Sequence, residues 1–150
     1  MLPMKAVRLQ LGELLGADAT TLAPAANGNK VVLIAAPITL DENHVYADIT
    51  AATFTGSTPL VCGTGAQPVG VDPATLEQVI TLLAPAGGFR WECTVAPGAP
   101  EVIYGFALAN NGLTTLLGIT LLDTPITIVN VGDEVNAGAL TMTILAAPVR

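Results

Sequence analysis

The sequence predicts an all-β fold: a single-domain antiparallel β-sandwich, jelly-roll-like, with an extended N-terminal region. Two observations predict it. Threonine dominates the hydroxyl residues, with Ser57 as the only serine, and it joins Val and Ile in short runs that are typical of strands. Gly, Pro, Asn and Asp bound these runs about every eight to twelve residues, which favours a sandwich over alternating strands and long helices.

The elements follow from those runs in chain order. Residues 1–29 are expected to form an arm or loop, partly extended, because residues 17–29 are rich in Ala, Thr and Gly. The predicted strands are residues 4–10, 30–36, 59–62, 89–95, 102–109, 113–122, 125–131 and 140–146. The whole chain, residues 1–150, is taken as one domain because its length suits a single core.

One segment, residues 72–84, fits two structures. Leu76, Val79, Ile80 and Leu83 recur at helical spacing, and Asp72 followed by proline resembles the start of a helix. Three consecutive β-branched residues at 79–81 argue for a strand instead. We favour a strand over residues 77–83, paired through a turn at 85–88 with the strand at 89–95.

Residues 102–113 carry the clearest local pattern. Large side chains at 102, 104, 106 and 108 alternate with small ones at 105, 107 and 109, which predicts one bulky face with Tyr104 and Phe106 in the core. Asn110, Asn111 and Gly112 follow, and an Asn-Gly pair adopts positive backbone angles at little cost. The sequence therefore predicts a hairpin that turns at these residues.

Trp91 and Cys93 are two residues apart, so on a strand they share one face, with Arg90, Glu92 and Thr94 on the other. The chain has a second cysteine, Cys62. A spacing of thirty-one residues matches neither a zinc site nor a redox pair, so the cysteines are either two buried thiols or a disulfide. Trp91 fits either the core or an interface.

The chain carries few charges. Of its residues 51% are apolar and 11% charged, whereas an average soluble chain has about 25% charged residues. Apolar surface that a domain of this size leaves exposed is usually contact surface, so we expect a subunit of an assembly. With five cations and a net charge of -7, neither nucleic acid nor membrane is an expected partner.

Residues that could carry chemistry are sparse. Residues 63–70 lack the third glycine of a dinucleotide loop and the Lys-Ser/Thr pair of a phosphate loop. The only histidine, His44, would have to serve any hydrolytic triad, with Ser57, Cys62 or Cys93 as nucleophile. The acids Asp41, Glu42 and Asp48 lie near His44 and fit a solvated turn better than a metal site. We predict no catalytic residues, cofactor or metal.

Several stretches resemble small structural proteins of tailed bacteriophages. Residues 46–56 (Tyr-Ala-Asp-Ile-Thr-Ala-Ala-Thr-Phe-Thr-Gly) resemble an apolar-Ala-Asp-apolar-Thr-x-Ala-x-Phe-x-Gly stretch in them. Ile-Tyr-Gly-Phe at 103–106 resembles their Ile-Tyr-Gly-Tyr strand, and residues 125–133 resemble their penultimate strand and turn. The family pattern continues Gly-Tyr after the first stretch, whereas here Ser57 follows Gly56.

The resemblance implies a virion component: a capsid decoration or cement protein that binds the assembled major capsid protein on the outer surface of the capsid, after assembly in the bacterial host cytoplasm. Such proteins are commonly homotrimers. A tail-fibre, head-fibre or baseplate module for host attachment is the alternative, and a small hydrolase is a third. The candidate interface residues are Trp91, Tyr46 and Phe54.

Overall fold

The computed structural model describes residues 1–4, 29–62, 70–71, 77–82 and 84–145. In this part of the chain the strands are β1 (Leu2–Pro3), β2 (Lys30–Ile34), β3 (Leu60–Val61), β4 (Gly70–Val71), β5 (Glu77–Leu82), β6 (Phe89–Glu92), β7 (Glu101–Ala109), β8 (Leu116–Ile128), β9 (Glu134–Ala137) and β10 (Leu140–Leu145). One short 3-10 helix, Tyr46–Asp48, is the only helix there. The all-β prediction is confirmed.

The strands form three antiparallel sheets. The largest has the order β1-β8-β7-β2-β3, the second β10-β5-β4, and the third pairs β6 with β9. Buried apolar side chains from all three belong to one hydrophobic cluster. Strand β2 lies between β7 and β3. Its four consecutive residues Val31 to Ile34 are at most 1% exposed, as expected of a strand covered on both faces.

Strand β6 shows how the alternating pattern places side chains. Phe89, Trp91 and Cys93 are at most 1% exposed, whereas the residues between them are exposed. The predicted division of faces is therefore confirmed. Cys62 and Cys93 are both free and both buried, which is the two-thiol alternative.

The strand predicted over 77–83 is present as β5, but its predicted partner was wrong. β5 pairs with β4 and β10, and β6 pairs with β9, a strand that the sequence analysis did not predict. Buried Trp91 and Phe89 face Val135 and Ala137 across this pair. On its other face the Arg90 guanidinium donates to both Glu134 (2.6 Å) and Glu92 (3.2 Å).

The remaining boundaries differ in smaller ways. Segments 113–122 and 125–131, predicted as separate strands, form the single strand β8. Strand β4, which begins at the last residue of the 63–70 segment, was not predicted. The predicted strand at 4–10 lies outside the described residues except for Met4, which follows β1 and is 1% exposed.

The β7–β8 hairpin is confirmed, with a wide bulge that changes its faces. Ile103 pairs with Ile126 and Gly105 pairs with Leu121, so residues 122–125 lie opposite Tyr104 alone. A bulge shifts the side-chain alternation on either side of it. Phe106 is in the core as predicted, but Tyr104 is only half-buried and Ile103 is buried in its place.

In the hairpin turn, the residue with a positive φ differs from the one predicted. The positive backbone angle falls on Leu113 (φ 54°), and neither Asn111 nor Gly112 has one. The turn is held by the Asn110 side chain, whose Oδ1 accepts from the backbone N–H groups of Thr114 (2.8 Å) and Thr115 (3.0 Å). Its Nδ2 donates to Thr114 Oγ1 at 2.9 Å.

Asn110→Ala is expected to lower the free energy of unfolding by roughly 1–2 kcal/mol, because it removes three hydrogen bonds from a half-buried side chain. Urea unfolding measures the loss. Asn111→Ala is the matched control in the same turn and should leave stability within about 0.5 kcal/mol, since the Asn111 side chain is exposed. Equal losses in the free energy of unfolding of the two variants would contradict the stabilising role of the Asn110 side chain.

Candidate functional site

Three loops meet at one end of the sheets: residues 53–57, 94–100 and 129–133. We call them the loop end. Backbone hydrogen bonds join them, from Thr94 N–H to Thr55 O (2.9 Å), from Cys93 N–H to Asp133 O (2.8 Å) and from Gly132 N–H to Cys93 O (2.8 Å). The loop end is therefore a single hydrogen-bonded unit resting on β6.

Two carboxylates hold the backbone of the loop end. Glu101, the first residue of β7, accepts from the backbone N–H groups of Thr53 and Phe54, both at 2.8 Å, and from Thr53 Oγ1 at 3.2 Å. Asp133 Oδ2 accepts from the N–H groups of Val129 and Asn130, both at 2.8 Å. Each carboxylate thereby satisfies backbone donors that a turn would otherwise leave to solvent.

The exposed surface of the loop end is largely uncharged, with three valines among threonines and one asparagine. Val95, Val129 and Val131 are 57%, 43% and 62% exposed, although valine is a residue that folding usually buries. Of the residues in the three loops only Asp133 is charged, and its carboxylate is occupied by backbone N–H groups. An open cleft of about 480 Å³ lies between residues 53–55 and 96–101.

Two of the three residues predicted at an interface lie inside the subunit. Trp91 is 1% exposed, its ring stacks on Phe106 with centroids 5.7 Å apart, and its Nε1–H donates to Thr58 O at 3.0 Å. Phe54 is 4% exposed. Burial leaves neither side chain much surface to present to another protein. Of the two roles that the sequence allowed for Trp91, the structure therefore favours the core.

Tyr46, the third predicted interface residue, begins the short helix and is half-buried. Partial burial raises the pKa of its phenol, because the phenolate would lose hydration there. An interface role for this residue stays a prediction.

The loop carrying the acids and the histidine is closed by its own hydrogen bonds. His44 Nδ1 lies 3.2 Å from Asp48 Oδ2, and its Nε2 lies 3.0 Å from Thr39 O. Asp41 Oδ1 accepts from the backbone N–H (2.9 Å) and the Nδ2 (2.7 Å) of Asn43. In the ranges that the structure describes, no three His, Cys, Asp or Glu side chains are grouped to hold a metal ion.

The candidate nucleophiles make their hydrogen bonds elsewhere. Ser57 Oγ donates to Ala52 O (3.0 Å) and Cys93 Sγ donates to Val95 O (3.1 Å). Burial raises the pKa of the Cys62 thiol to about 11, which keeps it protonated and weakly nucleophilic at neutral pH. The structure does not bring any of these groups into a hydrogen bond with His44.

No family model, curated protein or solved structure matches the chain. The resemblance to phage structural proteins therefore depends on the motifs alone. Within the described ranges, no helix is long and apolar enough to cross a membrane.

The sequence analysis missed the loop end, although part of its signal was in the sequence. Residues 96–100 read Ala-Pro-Gly-Ala-Pro, which indicates an uncharged loop, but Val95 before them falls in the predicted strand 89–95, on the face of Trp91 and Cys93. Val129 and Val131 likewise fall in the predicted strand 125–131, so their exposure had no signal in the sequence. The contacts of Glu101 gave no signal, because its partners lie 47 and 48 residues away.

Acidification is expected to destabilise the protein. Backbone N–H donors from Asn43, Val45 and Asn130 are the largest causes that hold the pKa values of Asp41, Asp48 and Asp133 below their ordinary value of 3.8. Since the folded-state pKa is the lower one, the stabilisation is present above 3.8 and is lost as pH falls through the folded-state value.

Urea midpoints measured at neutral pH and below pH 3.8 test this. Asp133→Asn should narrow the difference between the two midpoints. Asp123→Asn is the control, since Asp123 is exposed and its side chain makes no hydrogen bond within the described residues. Its two urea midpoints should differ by as much as those of the unmodified protein. Identical behaviour of both variants would contradict the prediction.

Proposed function

We propose that this chain is a capsid decoration or cement protein of a bacteriophage, and that its loop end is the surface that binds the assembled major capsid protein. The observation that carries the proposal is the loop end itself: three exposed valines on hydrogen-bonded loops whose one charged side chain, Asp133, accepts two backbone N–H groups of its own loop. The resemblance of residues 46–56 and 103–106 to phage structural proteins supplies the class of partner.

Such a surface suits binding to another protein. The core of an interface is depleted of charged residues, and burying exposed valine side chains contributes about 25 cal/mol for each Å² of apolar area removed from water. Loops that are already hydrogen-bonded to one another lose little further freedom on binding, which lowers the entropic cost of association.

The mechanism would be mass action. A protein that binds the assembled lattice and not its separated subunits stabilises the lattice by the free energy of that binding. Several loop ends presented together would add avidity, so we propose a homo-oligomer, with a trimer favoured, on the outer surface of the capsid.

Co-sedimentation with capsid shells of the virus that encodes the chain tests the proposal. The chain should pellet with shells that lack it and should not bind unassembled capsid protein. Val129→Asp and Val131→Asp should abolish pelleting, because each puts a charge into the buried centre of the contact.

Val61→Asp is the matched control: Val61 is 45% exposed against 43% for Val129, but it lies on edge strand β3, outside the loop end. Pelleting that persists in both loop-end variants, or that Val61→Asp abolishes equally, would overturn the assignment of the surface. A chain that ignores shells and binds bacterial envelopes instead would overturn the cement proposal in favour of a host-attachment module.

A further inference from the structure

The hairpin turn presents two adjacent asparagines in opposite situations. The side-chain amide of Asn110 is held by three hydrogen bonds to Thr114 and Thr115. Asn111 is exposed, and its amide makes no hydrogen bond within the described residues. One amide is therefore fixed and its neighbour is free to rotate.

The residue after Asn111 is a glycine whose backbone nitrogen is accessible. Gly112 is exposed, and in the described part of the chain its N–H donates no backbone hydrogen bond, whereas the N–H of Leu113 donates to Asn110 O. With no side chain on Gly112, nothing shields that nitrogen from the carboxamide carbon of Asn111.

We propose that Asn111-Gly112 is a site of spontaneous backbone modification. The Gly112 nitrogen attacks Cγ of Asn111, an N–Cγ bond forms, the Cγ–Nδ2 bond breaks, and ammonia leaves with the proton that the backbone nitrogen gives up. Water then opens the cyclic imide at either carbonyl. Opening at one carbonyl gives aspartate, and opening at the other gives isoaspartate, in which the main chain runs through the side-chain carbon.

The fold places this change far from the loop end. Strand β7 begins at Glu101, beneath the loop end, and finishes at Ala109, next to the turn, so the two are separated by roughly 26 Å at 3.3 Å per residue. The product adds a negative charge at the hairpin tip without altering the valine surface. A population of this protein should become more acidic with time while the loop end stays intact.

Incubation of the purified chain at mildly alkaline pH, followed by proteolysis and mass spectrometry, tests the proposal. The peptide containing residues 110–112 should acquire the mass increase of amide-to-acid exchange at Asn111, with aspartate and isoaspartate forms separated chromatographically, while Asn110 stays unchanged. A second Asn-Gly pair, at 27–28, is distinguished because it falls in a different peptide.

Gly112→Ala is the matched variant. Gly112 does not have a positive φ, and an added Cβ would come no closer than 3.8 Å to any atom outside the two adjacent residues, so the variant should fold while its methyl group shields the nitrogen. Conversion at residue 111 should slow several-fold. Conversion at Asn110 that matches or exceeds that at Asn111, or a Gly112→Ala variant that converts as fast as the unmodified chain, would overturn the proposal.

Discussion

Gly56→Ala is expected to prevent stable folding. The glycine has φ of +114°, and a Cβ built there would lie 1.9 Å from the carbonyl oxygen of Glu92. Backbone strain of this kind costs of order 1–3 kcal/mol. The clash adds to it, because the obstacle is main chain that continues directly into buried Cys93. We expect a loss of more than about 3 kcal/mol in the free energy of unfolding.

Substitutions at two other glycines separate the effect of backbone strain from the effect of the clash. Gly132 has φ of +91° but open space around it, and Gly98 has open space without a positive φ. Gly132→Ala should therefore cost roughly 1–2 kcal/mol, and Gly98→Ala should stay within about 0.5 kcal/mol. Circular dichroism and urea unfolding measure all three. If Gly56→Ala lowered the free energy of unfolding no more than Gly132→Ala does, the clash with Glu92 would be unimportant.

Phe106→Asp is the second substitution expected to unfold the subunit. Phe106 is 4% exposed, and its ring stacks on Trp91, which is 1% exposed. The aspartate would lose the apolar burial of the ring and place an unpaired charge in the core, where the desolvation penalty is several kcal/mol. Against a total stability of about 5–15 kcal/mol for a typical domain, that is enough to populate the unfolded state.

Phe106→Leu and Thr127→Asp separate the effect of lost apolar volume from the effect of the added charge. The leucine keeps the position apolar and should cost about 1–3 kcal/mol through lost volume. Thr127 is exposed on the same sheet, so a charge there should change stability by no more than about 0.5 kcal/mol. If Phe106→Asp retained the cooperative thermal transition and the stability of Thr127→Asp, Phe106 would not be a core residue.

The resemblance motif can be explained in physical terms from the structure. Within residues 46–56, Ile49 and Phe54 are buried, and Gly56 fills a position that tolerates neither a negative φ nor a side chain. Between them, the Ala35 N–H donates to Thr50 O and the Ala52 N–H donates to Leu33 O. The spacing of the motif is thus a packing requirement of this fold.

The sequence by itself determined the class of fold and the local faces. Short Thr, Val and Ile runs with Gly, Pro and Asn between them predicted strands, and the period of two placed Trp91 and Cys93 on one face with Arg90 on the other. These are properties of a few consecutive residues, so they can be read without knowing the partner strand.

Apart from the β7–β8 hairpin, only the tertiary structure decided which strands pair, and it alone decided where the exposed valines meet. A period of two fixes the faces of β5 and β6 but not their partners, because β10 and β9 lie far along the chain and are chosen by packing over the whole core. The same reason hid the bulge at Tyr104, the burial of Phe54, the reach of Glu101 to residues 53 and 54, and therefore the loop end.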